Sequence, residues 1–488
     1  NQLAAYKYDQ LNRIKQVRAH RNFNSANNAF EGASGNDGKY SENFTFDRNG
    51  NILTALRNGN NTGATQQMDN FTYHYYDKTG ASFAYSGAMP VNATNRLAYV
   101  TDGAAGANYN TDIDNQATDN YKYDAVGNLI EDAAEEIAAI EWNANGKIKS
   151  IQRTATSNKS DLEFVYDAAG NRIIKIVKPR DGSGLKSQLH WTYTYYVRDA
   201  GGNVLAVYQR SFQHISDADY NDQLNCAELH LYGSKRVGTN NVDSLATYTF
   251  TDASFTDNYG NTFGAAIYDA LPPVTPCTTA CKNNYRRKLG KKQYEITNHL
   301  GNVLATVSDR RLSKDVYSYT TSGSGNYKYD AARNMYYAVT AGTGTHNRVT
   351  SSSDNKTDWY TADVISYSDY YAYGEQQHGR FGGVYRYDFN GKETDPESDL
   401  QDYGMRIYNA RLGKFLSVDP LTSSYPWYTP YQFAGNMPIN SIDLDGAEPQ
   451  AAYIGWFNGG AEYESWGGDF FNVSTKFTLA NTYQIDGW

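Results

Sequence analysis

The chain of 488 residues has little of several residue types on which metal sites, disulfide scaffolds and helical bundles depend. It contains 3 cysteines, 5 methionines, 11 prolines and 8 histidines. None of the histidines stands in an HExxH motif or at another metal-ligand spacing, so we predict no metal site and no cofactor. No apolar run is long enough to span a bilayer. The missing initiator methionine and signal peptide predict that Asn1 is a processed or trimmed start.

Positive charge is also scarce, because 44 lysines and arginines face 53 aspartates and glutamates, for a net charge of −9 at pH 7. Nucleic acids and anionic membranes attract basic surfaces. The composition therefore argues against both kinds of partner.

Two of the three cysteines, Cys277 and Cys281, lie four positions apart in the Pro/Thr-rich stretch LPPVTPCTTAC, and Cys226 stands alone. In an oxidising compartment the close pair would form a disulfide, and otherwise it would remain two loop thiols. The sequence leaves both alternatives open. A zinc site is disfavoured because no second Cys/His pair lies at ligand spacing.

Tyrosine and glycine are abundant, with 44 and 42 residues. Tyrosine favours strands and glycine marks turns. The composition predicts an all-β protein with many short strands whose buried faces carry tyrosine where other proteins carry leucine.

An internal repeat, aromatic-Asp-x-x-Gly-Asn, supports this interpretation. Complete copies begin at Phe46, Tyr123 and Tyr166, and degenerate copies include those at Tyr8, Tyr76, Trp142, Arg198, Tyr329 and Tyr387. The aspartate accepts backbone N–H groups across a turn, the glycine supplies a positive φ, and the asparagine tolerates the left-handed region. Copies spaced by about 20 residues predict β-hairpins that stack on their neighbours.

We therefore predict a spiralling antiparallel sheet of hairpins that forms a hollow shell. Long polar insertions at about 213–225, 239–285 and 321–356 are expected to decorate that shell. The best helical candidate is the segment DAAEEIAA at 132–139.

The stretch from Tyr385 to Gly446 carries many fixed positions at fixed spacing. Its frame consists of Tyr403-x-x-Arg406-x-Tyr408, Gly413-Lys414-Phe415-Leu416-Ser417-x-Asp419-Pro420, Tyr431-x-Phe433-Ala434-x-Asn436-x-Pro438-Ile439-Asn440 and Asp443-x-Asp445-Gly446. It resembles the associated core of bacterial Rhs and YD-repeat proteins, relatives of the C component of ABC toxin complexes and of the teneurin shell. The resemblance implies a shell at 1–384, a core at 385–446 that plugs it, and the start of a variable passenger or tail at 447–488.

The resemblance also implies an aspartyl-protease-like self-cleavage site after the core. Asp419 matches the first aspartate of that family, Asp443 the second with Asp445 as its alternate, and Arg406 the arginine. Two carboxylates forced together share one proton, so one acts as base and the other as acid, and an arginine holds one ionised. Leu444 stands where the family has proline, and no Leu or Met follows closely. The alternative is that these aspartates only cap turns.

In function, the resemblance implies a secreted or surface-exposed bacterial protein that encapsulates and delivers its own C-terminal passenger, as polymorphic toxins of interbacterial competition do. Secretion-machinery or surface proteins would be further partners. The first alternative is an extracellular adhesin or structural surface scaffold without cargo or cleavage. The second alternative is an enzyme that acts on an external substrate.

Overall fold

The computed structural model describes residues 2–451 with interruptions, which fall at 22, 25–28, 31–36, 64–65, 83–91, 105–108, 110–111, 217–218, 247–253, 257–261, 265–289, 315–316, 320–326, 331–334, 339–345, 349–358 and 448. Residues 1–452 form one compact unit and residues 453–488 a second, which lies outside the described residues. The predicted pair Cys277 and Cys281, much of the insertions 239–285 and 321–356, and nearly all of the predicted tail 447–488 also lie outside them.

The described residues fold into antiparallel β-strands, which confirms the all-β prediction. Among them are short 3-10 helices at Gln188–His190, Phe389–Gly391 and Ala434–Asn436. None of the helices in the described ranges has the length and apolar character that crossing a membrane requires.

The first sheet has six strands whose order in the sheet follows their order in the chain. Its strands are β1 (Gln2–Tyr8), β2 (Ile14–Arg21), β5 (Glu42–Phe46), β6 (Ile52–Asn58), β7 (Gln67–Asp77) and β8 (Ala93–Asp102), with the small hairpin β3 (Phe23–Asn24) and β4 (Ala29–Phe30) inserted. Every neighbouring pair is antiparallel.

The second sheet has fourteen strands and is also a meander in chain order. Its strands are β9 (Tyr121–Tyr123), β10 (Leu129–Asp132), β11 (Ile137–Trp142), β12 (Ile148–Arg153), β13 (Asp161–Tyr166), β14 (Arg172–Lys178), β17 (Thr192–Arg198), β18 (Val204–Ser216), β19 (Asp219–Tyr232), β20 (Arg236–Ala246), β23 (Lys292–Thr297), β24 (Val303–Lys314), β29 (Trp359–Tyr370) and β30 (Gln376–Gly382). Inserted hairpins pair β15 (Arg180–Asp181) with β16 (Gly184–Leu185), β21 (Ser254–Thr256) with β22 (Thr262–Gly264), β25 (Tyr317–Tyr319) with β28 (His346–Arg348), and β26 (Tyr327–Asp330) with β27 (Met335–Ala338).

After the second sheet, the chain forms two small sheets. One contains β31 (Glu393–Asp395), β32 (Leu400–Asp402), β33 (Ile407–Asn409) and β34 (Lys414–Phe415), and the other pairs β35 (Ser441–Asp443) with β36 (Pro449–Ala451).

The repeat turns close as their sequence predicts. Asp124 Oδ1 accepts the backbone N–H groups of Gly127 at 2.7 Å and Asn128 at 2.8 Å, and the Asn128 amide donates to Asp124 Oδ2 at 3.0 Å. Gly127 has a φ of +110°, which a residue with a Cβ rarely adopts. The same aspartate-to-asparagine pairing closes the turns at 47–51, 167–171 and 199–203.

The helix prediction for 132–139 is wrong. Asp132 ends β10, Ile137 begins β11, and a turn joins them. Asn120 fixes this turn, because its amide donates to Asp132 Oδ1 at 2.8 Å and its carbonyl accepts the Ala134 N–H at 2.6 Å. Strand pairing on both sides outweighs the helical preference of a short Ala/Glu segment. Residues 213–216 and 219–225 belong to the distal part of the β18–β19 hairpin.

The two large sheets share one hydrophobic core with the C-terminal segment, by which we mean the described residues that follow β30, from 383 to 451. Among its buried members are Ile14, Phe44, Ile52, Phe71, Tyr73 and Tyr75 from the first sheet, Leu129, Ile137, Ile140, Ile148, Ile151, Leu162 and Phe164 from the second, and Leu400, Tyr403, Tyr408, Leu412, Phe415 and Phe433 from the C-terminal segment. Tyr408 and Phe433 are fully buried and stack with ring centroids 4.3 Å apart. Each large side chain so buried stabilises the fold by about 1.5–3 kcal/mol.

Candidate active site

The site is built from the ends of short strands in the C-terminal segment. Arg406 immediately precedes β33, Asp419 follows β34, and Asp443 is the last residue of β35. All three are almost fully buried, with exposed fractions of 1%, 6% and 0%. The small sheets therefore bring together three residues that lie up to 37 positions apart in the chain.

Arg406 binds both aspartates through one nitrogen. Its Nη2 lies 3.0 Å from Asp419 Oδ2 and 3.4 Å from Asp443 Oδ2. The sum of these two distances is therefore an upper limit for the separation between Asp419 Oδ2 and Asp443 Oδ2. The Phe415 ring lies against the guanidinium, with its centroid 3.7 Å from Arg406 Cζ, and holds the plane in place.

The same guanidinium contacts the backbone that follows Asp443. Arg406 Nε donates to the carbonyl of Gly446, and Nη2 lies 3.5 Å from the carbonyl of Ala447. Asp443 Oδ1 accepts the Gly446 N–H at 2.6 Å. Gly446 has a φ of +87°, and a Cβ there would lie 2.8 Å from the backbone nitrogen of Arg406, so glycine permits this close approach of the two backbone turns.

The two aspartates use their oxygens for different purposes. On Asp419, Oδ1 accepts the Leu421 N–H at 2.8 Å, and on Asp443, Oδ1 accepts the Gly446 N–H. The Oδ2 atoms of both point to Arg406. Turn capping, which the sequence offered as the alternative role, therefore coexists with a carboxylate pair on one cation.

Burial raises the pKa of Asp443 to about 6, and the Arg406 cation and the Gly446 N–H act in the opposite direction. Burial also raises the pKa of Asp419, again against the charge of Arg406. A carboxyl group with a pKa near 6 keeps its proton in a sizeable share of molecules near neutral pH. The arrangement can therefore hold one proton between two acids.

Asp445 is the predicted site residue that the structure does not bring to the guanidinium. Its side chain is exposed, and its backbone carbonyl accepts the Met405 N–H at 2.7 Å. Leu444, which stands in the family's proline position, is also exposed, at 53%. In the described ranges, no group of three or more His, Cys, Asp or Glu side chains is arranged to hold a metal ion.

Two lysines beside the site were missed by sequence reasoning. Lys147 Nζ contacts the carbonyl of Gly404, and Lys392 Nζ contacts the carbonyl of Leu444. Both stand where complete copies of the repeat have asparagine, and that departure is the signal that sequence reasoning could have used.

A separate cavity of about 760 Å³ lies between the second sheet and residues 382–399. Its wall is part polar and part apolar, and the polar residues that the strands contribute are Lys175, Thr192, Thr194, Gln209, Glu228, Thr239, Asn241, Gln293, Ser366 and Ser368. On these strands the polar side chains therefore line a partly open cavity.

Comparisons with known proteins give distant likenesses, and no family model matches the chain. The Salivary gland surface protein 1 of Aedes aegypti is 23% identical over 325 residues, which cover 66% of this chain and 6% of that protein. A crystal structure of TcdB2-TccC3-Cdc42 aligns with a TM-score of 0.42 and 14% identity, over 91% of this chain and 17% of that one. A Tc holotoxin pore of Photorhabdus luminescens that carries a TccC3 mutation aligns with a TM-score of 0.43 and 13% identity, over 93% and 17%. The chain thus spans a small part of each protein that it matches.

Proposed function

We propose that this chain forms part of a shell of an extracellular, toxin-complex-like protein, which encloses the polypeptide after Gly446 and frees it by cutting its own backbone. The observation that carries the proposal is the single guanidinium of Arg406. It binds Asp419 and Asp443 and also holds the carbonyl of Gly446, the residue after which the cut is expected. A candidate acid, a candidate base and a candidate scissile peptide therefore meet at one cation.

The chemistry follows from the two protonation states. Asp443, whose pKa is about 6, donates its proton toward the carbonyl oxygen, while Arg406 Nε stabilises the charge that develops there. Asp419, paired with Arg406, takes a proton from a water molecule that attacks the carbonyl carbon. The C–N bond then breaks as Asp419 passes this proton to the amide nitrogen, and Asp443 regains its proton from the hydroxyl of the intermediate. The products are a new carboxyl terminus and a new amine.

Containment rests on the architecture around this site. The C-terminal segment packs in the core shared by both large sheets, and the second sheet lines a cavity with serine, threonine and glutamine side chains. Such a wall supplies hydrogen bonds to the backbone of an enclosed chain, which would otherwise lose its contacts with water. The proposal includes release of a passenger outside the cell that made it, with secretion-machinery or surface proteins as partners.

A surface scaffold is the second candidate. It is favoured by the Aedes aegypti relative, whose name describes a surface protein, and by the turn-capping bonds of Asp419 and Asp443. In that function the aspartates stabilise the plug, and the backbone after Gly446 stays intact.

Self-cleavage is tested with purified protein on a denaturing gel and by intact-mass spectrometry. We expect the wild type to give two fragments, cut at the peptide between Gly446 and Ala447, and Asp419→Asn to stay in one piece. The cut should slow as pH rises above about 6, because Asp443 then loses the proton that it donates.

The control is Glu141→Gln, which removes an exposed carboxylate on β11 and should leave the rate of the cut unchanged. Wild-type protein that stays whole between pH 5 and 7, or an Asp419→Asn variant that is cut at the wild-type rate, would contradict the self-cleavage proposal and favour the scaffold.

A further inference from the structure

The residue at the closing position of the repeat varies in this chain. In complete copies it is asparagine, whose amide bonds back to the aspartate of its own turn, as Asn171 does to Asp167 at 3.0 Å. In the turns 143–147 and 388–392 it is lysine. Both turns keep the repeat's backbone bonds, because the carbonyls of Lys147 and Lys392 each accept the first residue's N–H at 2.9 Å.

The two lysine side chains leave their own turns and reach the candidate site. Lys147 Nζ contacts the carbonyl of Gly404, and Lys392 Nζ contacts the carbonyl of Leu444. Gly404 lies two residues before Arg406, and Leu444 two residues before Gly446. Each lysine therefore holds one of the two backbone turns that meet at the guanidinium.

The two turns are also bonded to one another. The Met405 N–H donates to the Asp445 carbonyl at 2.7 Å, and Arg406 Nε donates to the Gly446 carbonyl. Together with Lys392, these donors bind three consecutive carbonyls, those of Leu444, Asp445 and Gly446. A backbone held at each residue over this length keeps one register against Arg406.

The surroundings of both ammonium groups are acidic. Burial lowers the pKa of Lys392, while the charges of Asp402, Asp443 and Asp445 raise it. Burial lowers the pKa of Lys147 as well, against Asp402 and Asp445. The attraction of these carboxylates favours the position of each lysine side chain on the site over an extended position in solvent.

We propose that Lys147 and Lys392 are positioning residues that clamp the turns 403–406 and 443–446, so that the Gly446 carbonyl stays on Arg406. This inference rests on the proposed self-cleavage for its purpose, whereas the clamp itself is a statement about backbone order. The alternative to the clamp is that Lys147 and Lys392 are half-exposed lysines whose replacement leaves the order of both turns unchanged.

The test uses lysine-to-asparagine changes, because asparagine is the residue that closes the complete copies of the repeat and is compatible with the turn. The double variant Lys147→Asn/Lys392→Asn should fold with the wild-type melting temperature. Its self-cleavage should slow by about tenfold or more, since displacing a reacting group by about 1 Å is enough for a loss of that size. The single variant Lys392→Arg keeps a donor of similar reach, and its rate of self-cleavage should lie close to that of the wild type.

A second readout does not depend on cleavage. In the Asp419→Asn background, hydrogen exchange of the amides at 443–447 should speed up by about tenfold when both lysines are replaced, because their clamp normally opposes local opening. Lys149→Asn is the matched control, since this lysine lies two residues from Lys147 but is 58% exposed and pairs only with Glu141 in the described contacts. It should change neither readout.

The outcomes separate the two ideas. Unchanged exchange in the double variant overturns the clamp, whatever happens to cleavage. If hydrogen exchange is faster in the double variant but the wild type is never cut, the clamp is supported and the proposed self-cleavage is contradicted. A cut at the wild-type rate despite faster exchange overturns the positioning role.

Discussion

Replacing Arg172 with methionine is expected to lower the free energy of unfolding by about 3–5 kcal/mol, the usual cost of removing one partner from a buried ion pair. Arg172 lies on β14 and is 3% exposed. Its guanidinium binds Glu393 at 3.0 Å, Asp395 at 2.9 Å and Asp402 at 3.3 Å, all in the C-terminal segment. The variant would leave these carboxylates inside the protein without their main cation.

The network around Arg172 joins the second sheet to β31. Lys175, also on β14, binds Asp395 at 2.8 Å and Glu397 at 2.7 Å, and Tyr196 on β17 donates to Glu393 at 2.7 Å. Arg172 and Lys175 bind these carboxylates from the sheet, and Arg386, which follows β30, also binds Glu393 at 3.0 Å. Loss of Arg172 therefore removes the cation that contacts most of these acids.

Chemical unfolding followed by circular dichroism measures the effect. Arg380→Met is the matched control, because the Arg380–Asp369 pair is 30% and 39% exposed and such a pair contributes about 0–1 kcal/mol. If Arg172→Met unfolded at the wild-type denaturant concentration, the junction would not hold the C-terminal segment to the sheet.

The second large effect depends on pH. Glu42→Gln is expected to stabilise the protein by on the order of 3 kcal/mol above pH 8 and to change little below pH 4.5. Burial raises the pKa of Glu42 from 4.5 to about 7, with the Ala372 N–H and the Arg57 cation acting in the opposite direction. Glutamine keeps the acceptor for the Ala372 N–H, which Glu42 Oε2 accepts at 2.9 Å.

The cause is an excess of acids around one guanidinium. Arg57 binds Asp69, with its Nε 2.6 Å from Oδ2, and also binds Glu375, while Glu42 is 1% exposed beside them. Three carboxylates then share one cation away from water, so the fold favours a protonated Glu42. Arg57 Nη2 also donates to the Arg411 carbonyl at 3.0 Å, so the cluster links the first sheet to the C-terminal segment.

The sign follows from linkage. A carboxyl group whose pKa is higher in the folded state gives full stability below its unfolded pKa and loses it as pH rises through the folded value. For Glu42 this window runs from about 4.5 to 7. Melting curves of both proteins across pH 4 to 9 should therefore coincide at the acid end and separate at the alkaline end.

Glu141→Gln removes an exposed carboxylate on β11 and should leave the wild-type pH profile unchanged. Parallel curves for Glu42→Gln and wild type at every pH would mean that Glu42 titrates alike in the folded and unfolded chain.

The repetitive part of the fold could be predicted from the sequence because its information is local. Each Asp-x-x-Gly-Asn unit specifies its own turn, and turns such as 124–128 and 167–171 close with the predicted contacts. The helix prediction for 132–139 failed because the conformation of this segment depends on Asn120, which lies outside the window that suggested a helix.

The site could be predicted in its residues but not in its geometry. The motif frame named Arg406, Asp419 and Asp443, whereas the choice between Asp443 and Asp445 required the orientation of a single turn. The junctions of Arg172 and Arg57 were not foreseen, because their partners Asp395 and Glu375 lie 223 and 318 positions away and no periodic pattern marks them. Lys147 and Lys392 looked like degenerate repeats, since sequence alone does not say where a long side chain ends.

Limited proteolysis of the native protein tests containment most directly, with fragments identified by mass spectrometry. If the shell encloses the polypeptide after Gly446, that polypeptide should resist protease in native protein and be digested once denaturant opens the sheets. The Asp419→Asn variant serves for this measurement, because an uncut chain keeps the polypeptide attached. Rapid native digestion after Gly446, with residues 1–446 left whole, would contradict containment and establish an exposed tail on a surface scaffold.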